Sequence, residues 1–455
     1  MYQKAYKIHF VGIGGIGMSG IAELLISLGY KVSGSDLKSS PITRRLKKQG
    51  ATIYIRHKKE QVKDANVCVT STAISSDNPE VIQAKENMIP IIPRAEMLAE
   101  LMRIKYSIAI SGAHGKTSTT AMVSEVLNTA GLDPTVIIGG LLKTLDTNAL
   151  HGKGEFIVAE ADESDGSFLK YSPAVAIVTN IDLEHLDYYK GIDEIKEKFV
   201  RFINSVPFYG LSILCLDNEH IQNILPKISV RYTTYGMTAQ ADTQAKDIHF
   251  KGNQSFFTVF HNKEKLGNVT LNLAGEHNIS NALASIATGL ELNIDFEIIK
   301  KALEKIEGVK RRLEIKGEKK GILVMDDYGH HPTEIRATLE AVRRSYSKKR
   351  IIVLFQPHRY TRTRELFDDF TRSFYRSDIL ILLPIYAASE NKIQGITSEK
   401  LLLGIKAHGH KNVSFAADFK KAISAIEKII KKDDLILTLG AGDIYTLGEK
   451  LLDKL

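Results

Sequence analysis

The chain has 455 residues, 61 Lys and Arg against 53 Asp and Glu, a net charge of +8, and 44% apolar residues. That length exceeds one hydrophobic core and predicts two to four domains of an ordinary globular protein. No apolar run reaches the roughly 18–20 residues of a membrane span, and the opening MYQKAYKIHFVGIGGIG lacks the apolar segment and cleavage site of a signal peptide. No membrane partner is therefore expected. Only Cys68 and Cys215 are present, both in apolar contexts. They read as buried thiols in a reducing, cytoplasmic setting. Residues 1–105 hold 16 Lys and Arg against 9 Asp and Glu, so nearly all the positive excess lies there. Such a bias suits small anions such as nucleotide diphosphates. With no aromatic-plus-basic platform and no zinc motif, nucleic acid is not expected.

The first segment, 1–106, alternates short apolar strands (KIHFVGI, KVSGSD, ANVCVTST) with helices (MSGIAELLISLG, TRRLKKQG, IIPRAEMLAELMRIK). This is the pattern of a doubly wound α/β sheet. VGIGGIGMSG places Gly12, Gly14 and Gly17 at the spacing G-x-G-x-x-G, with Gly15 between them, after a strand and before a helix. Glycines there allow close backbone approach, and the helix N-terminus favours a diphosphate. Asp36 ends the next strand, where a ribose hydroxyl would bind. The motif alone suggests NAD, does not say which nucleotide, and also fits a plain strand-to-helix turn.

The second segment, 107–310, begins strand–loop–helix in YSIAISGAHGKTSTTAMVSEVLNTAG. A phosphate loop G-x-x-x-x-G-K-[ST] would need glycine at 110, where Ile110 stands; the nearest glycine is Gly112, so the loop is two residues short. Its context still predicts a phosphate cradle, with backbone NH groups from Gly112 to Ser118 on the phosphates. Lys116 would reach the β- and γ-phosphates and Thr117 would hold Mg²⁺. Acids for the metal follow the next two strands: Glu160, Asp162, Glu163 and Asp165 in VAEADESD, and Asp182, Glu184 and Asp187 beside His185 in NIDLEHLDYY. Mg²⁺ prefers oxygen, so chemistry alone favours the acids over His185.

The third segment, 311–455, offers the strands ILVMDDY, RIIVLFQ, DILILLPI and DLILTLGAG. The loop HRYTRTR after one of them is basic and, taken alone, fits a solvated charge run as well as an anion site. The fold expected is α/β, with three domains in series: a Rossmann-like domain, a P-loop ATPase-like domain and a second Rossmann-like domain.

Taken together, these motifs resemble those of the Mur ligases, ATP-dependent amide-forming enzymes of peptidoglycan precursor synthesis, and the resemblance covers the whole chain. That family's loop is G-T-H-G-K-T-[ST]; here it is GAHGKTS, with Ala113 in place of Thr, a change that removes no metal or catalytic group. The resemblance implies that Gly112, Ala113, His114, Gly115, Lys116, Thr117 and Ser118 surround the ATP phosphates. It implies Mg²⁺ on Thr117, Glu160 and His185, overriding the preference for acids. In AGEHNISNALAS it puts His277, Asn278 and Asn281 near the adenine. Arg312 of GVKRRLE would reach the γ-phosphate across the domain junction, and Asp327 of DDYGHHPTE would contact the nucleotide.

The same resemblance assigns UDP-sugar, not NAD, to Gly12, Gly14, Gly15, Gly17 and Asp36, and the amino acid to Tyr328, His330, Arg359 and Arg362. GIGGIGMSG and FQPHRYTRT narrow it to the member that adds the first residue, with UDP-N-acetylmuramate and L-alanine as substrates. Lys116 and Arg312 would offset charge on the transferred phosphoryl group, and His330 is the candidate base for the amine, His331 being structural. A monomer or weak homodimer is expected. Alternatives are the related recycling ligase that joins a peptide to the same sugar nucleotide, an NAD-dependent Rossmann oxidoreductase, and a non-catalytic nucleotide sensor.

Overall fold

Short apolar runs, fully buried in strands such as Ile351–Phe355 and Leu435–Leu439, make the central strands, and the topology follows from their order. The computed structural model describes residues 6–71, 73–138, 149–185 and 188–455. The first sheet has five parallel strands in the order Thr52–Ile55, Lys31–Asp36, Lys7–Val11, Val67–Thr70, Ile91–Pro93. The chain goes to one side of Lys7–Val11 first and to the other later. The turn after that strand therefore lies at a topological switch point, where open α/β sheets bind ligands.

The second sheet repeats this logic on a larger scale. Its parallel part runs Tyr232–Gly236, Leu211–Cys215, Val175–Val178, Tyr106–Ser111, Phe156–Glu160, Thr135–Ile137. Strands Thr243–Lys251, Gln254–His261 and Glu264–Leu271 extend one edge, and Ala149–Leu150 closes the other in antiparallel fashion. Tyr106–Ser111 is central, flanked by Phe156–Glu160 and Val175–Val178. Whatever follows those three strands is gathered at one end of the sheet.

The third sheet has the order Glu314–Lys319, Ile322–Asp327, Leu435–Leu439, Ile351–Phe355, Ile379–Leu382, Val413–Phe415. Only its first pair is antiparallel, with a register shift between Ile315 and Gly317. Both faces are covered: Phe355, Phe370 and Leu437 belong to one buried cluster, Ile352, Ile436 and Leu447 to another. The helix Pro332–Ser345 starts cleanly because His331 caps it, Glu334 reaches back, and Pro332 occupies the first turn.

The chain forms two compact units: 1–246 with 258–267 and 280–304, and 247–257 with 268–279 and 305–455. Cys68 and Cys215 are buried free thiols. Burial, with Glu80 nearby, pushes the Cys68 thiol up to about 12. Among the described residues no helix is long and apolar enough to cross a membrane.

Candidate active site

In the first unit the shortened loop is built by its neighbours. It joins strand Tyr106–Ser111 to helix Lys116–Thr129. Gly112 has φ 134°, and a Cβ there would lie 2.1 Å from Thr179 Oγ1. Gly115 has φ 84°, and a Cβ would lie 2.7 Å from Asn281 Oδ1. Both positions need glycine for conformation and for space. Just past strand Val175–Val178, Thr179 and Asn180 hold the loop. Asn180 Oδ1 accepts from His114 N at 2.9 Å, Asn180 Nδ2 donates to His114 O at 2.9 Å, and Thr179 Oγ1 donates to His114 O at 2.6 Å. Ala113 N donates to Asn180 O at 3.3 Å. Two NH groups expected on the phosphates, those of Ala113 and His114, donate to Asn180 in this structure. Thr117 and Ser118 open the helix, and Asn281 Oδ1 accepts from Thr119 Oγ1 at 3.1 Å.

Lys116 Nζ donates to Gly112 O, and to Glu163 Oε1 at 2.8 Å. Burial works against its charge, but Glu163, Asp162 and Glu184 outweigh it and push its pKa up. Asp162 Oδ2 lies 3.5 Å from Arg94 Nη2. Burial would raise Asp162, but hydrogen bonding to Ser164 and the charges of Lys116 and Arg94 hold it below the usual carboxylate range. His185 adopts φ 57°, rare for a non-glycine residue. Its Nε2 is 3.5 Å from Glu163 Oε1 and 3.6 Å from Glu184 Oε2. Burial pulls its pKa down, and those two carboxylates more than reverse this.

A divalent cation fits this corner. Donor atoms of Glu163, Glu184 and His185 lie within 4.8 Å of one another. Glu163 is 3% exposed, and its Oε2 is buried without a hydrogen-bond partner, an arrangement a hard cation would satisfy. Glu160 ends strand Phe156–Glu160 beside the loop strand, as the sequence placed it. Glu163 and Glu184, read in sequence only as members of acid runs, join His185 because the two strands that flank Tyr106–Ser111 finish at the same end of the sheet. Asp187 lies outside the described residues.

At the glycine turn, Gly12 N and Ile13 N donate to Ser35 O at 2.9 and 3.0 Å. Asp36 Oδ2 accepts from Gly14 N at 2.8 Å. The acid expected on a ribose therefore also braces the turn. A Cβ on Gly15 would stand 3.4 Å from Gly12 O, and one on Gly17 2.8 Å from Arg94 Nη1. Beneath the turn is a polar network that the sequence did not disclose. Fully buried Glu80 accepts from Ser35 Oγ at 2.5 Å and meets His9 at 3.2 Å and His57 at 2.9 Å. The signal was faint: His57 lies just past a strand end, and Glu80 sits in a Pro-started helix.

The second unit holds the remaining candidates. Asn278 Nδ2 donates to Ala274 O at 2.8 Å, closing its own turn. Burial, with Arg312 adding to it, pushes His277 down to about 4. Asp327 is buried. Its Oδ2 accepts from Leu313 N at 2.8 Å, and its Oδ1 from Gly329 N at 2.8 Å and Thr338 Oγ1 at 3.1 Å. Burial raises its pKa to about 6 against these bonds. Both oxygens brace the loops that carry Arg312 and Tyr328. Arg312 lies 3.5 Å from Glu334 Oε1 and 5.2 Å from the centre of the Tyr328 ring. His331 Nδ1 accepts from Thr333 N at 3.3 Å as a helix cap.

The rings of Tyr328, His330, His358 and Tyr386 follow one another at 5.3, 5.7 and 5.6 Å, the last pair stacked. Arg362 Nη1 is 3.3 Å from His358 Nδ1, and Arg359, at φ 69°, donates its NH to Tyr386 O at 2.9 Å. Burial, then the charges of His330, Arg362 and Arg359, push His358 down to about 3. It is a neutral ring that accepts from Arg362. Glu390 takes hydrogen bonds from Tyr360 N, Thr361 N and Thr361 Oγ1 and so orders the basic loop. His358, Tyr386 and Glu390 were absent from the sequence-derived set. His358 had a visible signal, its place directly before Arg359.

A phosphate loop at the switch point of a parallel sheet, with acids and a histidine after both flanking strands, defines a class of nucleotide-dependent phosphoryl-transfer enzymes. Three models of one family match in chain order: "Mur ligase family, catalytic domain" over residues 7–106, "Mur ligase middle domain" over 110–289 and "Mur ligase, glutamate ligase domain" over 311–442. The chain belongs to the Mur ligase family. It is 68% identical over 455 residues to the UDP-N-acetylmuramate–L-alanine ligase of Desulforapulum autotrophicum, covering 100% of both chains. To the ligase of the same name from Desulfatibacillum aliphaticivorans it is 61% identical, covering 99% of both. Among solved structures it resembles the UDP-N-acetylmuramate–alanine ligase MurC of Thermotoga maritima, with TM-score 0.81, 29% identity and 98% of each chain covered. A murein peptide ligase from Psychrobacter arcticus shares the fold, with TM-score 0.69 at 24% identity over 99% of this chain and 98% of that one.

Proposed function

We propose that this protein joins L-alanine to the lactyl carboxylate of UDP-N-acetylmuramate, converting ATP to ADP and phosphate, in peptidoglycan precursor synthesis. The observation that carries this reading is full-length identity of 68% to a ligase so named, joined to a loop whose lysine is built into an acid-lined corner. Residues 1–106 take the UDP-sugar, 107–310 the ATP, and 311–455 the amino acid.

In the first step the carboxylate attacks the γ-phosphate and ADP leaves. Lys116 is held charged by Glu163 and its neighbours, so it can follow the phosphoryl group as negative charge spreads over it. Arg312 supplies a second cation to the same group. Mg²⁺, when bound, would neutralise charge on the phosphates; Thr117, Glu160, His185 and, by their geometry, Glu163 and Glu184 are the residues that would hold it. The product is an acyl phosphate.

In the second step the amine of L-alanine attacks that acyl phosphate and phosphate leaves. The amine must first lose a proton. His330 Nδ1 lies 3.1 Å from Tyr328 O, a pure acceptor, so Nδ1 carries a hydrogen and Nε2 is the atom that would take the amine's proton. That tautomer suits a base. Arg359 and Arg362 receive the amino acid's carboxylate, since a guanidinium fork matches it. The test is ADP release with UDP-N-acetylmuramate and either L-alanine or L-Ala-γ-D-Glu-diaminopimelate as acceptor. A higher kcat/KM for the tripeptide would move the protein to the recycling reaction, and NAD binding without ADP release would remove it from ligase chemistry.

A further inference from the structure

Two adjacent arginines, Arg311 and Arg312, stand before the third sheet, and only the second entered the reading above. We propose that Arg311 is a positioning residue: its guanidinium locks the turn that presents Arg312 to the γ-phosphate, a role that rests on the ATP site proposed for Arg312.

The turn is strained on both sides of Arg312. Arg311 has φ 63° and Leu313 φ 44°, left-handed conformations that persist only where the surroundings over-determine them. The backbone is held by Leu313 N to Asp327 Oδ2, by Arg311 N to Glu314 Oε2 at 2.8 Å and by Tyr328 N to Arg311 O at 2.7 Å. The Arg311 side chain ties this turn to the ends of two strands. Its Nε faces Asp326 Oδ2 at 3.2 Å, Nη1 donates to Ala441 O at 3.4 Å, and Nη2 donates to Gly440 O. Its central carbon lies 5.0 Å from the Tyr328 ring centre and 4.6 Å from that of Tyr445. Asp326 has no exposed side-chain surface, and Thr438 Oγ1 holds its other oxygen at 2.6 Å.

This guanidinium therefore meets a carboxylate, two carbonyls and two aromatic faces, so each of its three nitrogens is engaged within the turn and its charge faces a buried carboxylate. Arg312 also rests on Tyr328, at 5.2 Å. The ring that Arg311 fixes is the ring that supports Arg312. Lysine could keep the charge but not the planar fork, so it would not reproduce the clamp.

The experiment is calorimetric titration of the full-length protein with ADP and with a non-hydrolysable ATP analogue. R312A should weaken the analogue about tenfold, as expected for one charge-assisted contact, and ADP by less than about twofold. R311K should show the same pattern, and R311K/R312A should be no worse than R312A alone. Y445F, which keeps the ring, should retain the wild-type preference for the analogue, whereas Y445L should lose part of it. Unchanged binding in R311K, equal losses for ADP and analogue, or additive losses in the double variant would overturn the proposal. If R312A leaves the preference intact, the γ-phosphate role of Arg312 falls and the proposal with it. Wild-type protein that releases no ADP with L-alanine would sink the substrate assignment alone, since the titrations need no turnover. Should R311K fail to fold, the Y445L and Y445F pair decides the same question.

Discussion

The glycine turn of the first sheet and the phosphate loop of the second occupy equivalent places, yet they are held differently. The glycine turn is closed from the next strand, Lys31–Asp36, by one carbonyl and one acid: Gly12 N and Ile13 N on Ser35 O, and Gly14 N on Asp36. The phosphate loop is closed from outside, by Thr179 and Asn180 of the adjacent strand end and by Asn281, 166 positions after Gly115 in numbering. A turn braced by the very next strand can be recognised as a motif. A loop whose remaining partners lie far along the chain has bracing that no local pattern shows.

Lys116→Ala should break the second region most completely. Loss of a cation aimed at developing phosphoryl charge predicts a fall in ADP release of about 10³-fold, with UDP-sugar binding by the first region unchanged in calorimetry. Near wild-type turnover in the folded variant would overturn the loop assignment.

Asn180→Ala tests bracing directly. It removes the acceptor of His114 N and one donor to His114 O. Two lost hydrogen bonds should cost about 1–3 kcal/mol in urea unfolding and lower turnover by about 10–100-fold, a loss that Asn180→Asp should reproduce in part because it keeps the acceptor. Turnover equal to wild type would mean the loop holds its shape alone.

Gly14→Ala makes the matching attack on the first region. The new Cβ would stand 2.6 Å from Asp36 Oδ2, displacing the carboxylate that Gly14 N needs. UDP-sugar should bind about tenfold more weakly, and ATP as in wild type. A shift in ATP affinity instead would show that the two regions are not separately held.

Glu80→Gln should have the smallest effect on binding, about threefold on UDP-sugar, the size of one weakened hydrogen bond. It also has a pH signature. Burial would raise the Glu80 pKa, but hydrogen bonds from His9, Ser35 and His57 hold it below 4.5. Its stabilising contribution is thus present above about pH 4.5 and is lost as pH falls through the depressed folded value. Unfolding midpoints taken from pH 7 to 3 should decline less steeply in the variant; parallel declines would count against the network.

The sequence by itself determined what depends on local spacing. Strand–turn–helix order, the glycines at 12, 14, 17, 112 and 115, the Gly-Lys-Thr cradle and the three-sheet α/β class all follow from period, turn chemistry and neighbouring residues. His331, read from the sequence only as structural, proves to cap a helix. What tertiary structure alone decided is which side chains meet. Glu163 and Glu184 join His185 because Phe156–Glu160 and Val175–Val178 flank one strand. Asn180 completes the loop for the same reason. The motif singled out Arg312 and left Arg311 without a role, and only the fold sets Arg311 between two tyrosines and a buried aspartate. Periodicity along the chain reports which face a residue takes; strand order, fixed by packing of the whole sheet, decides what stands opposite it.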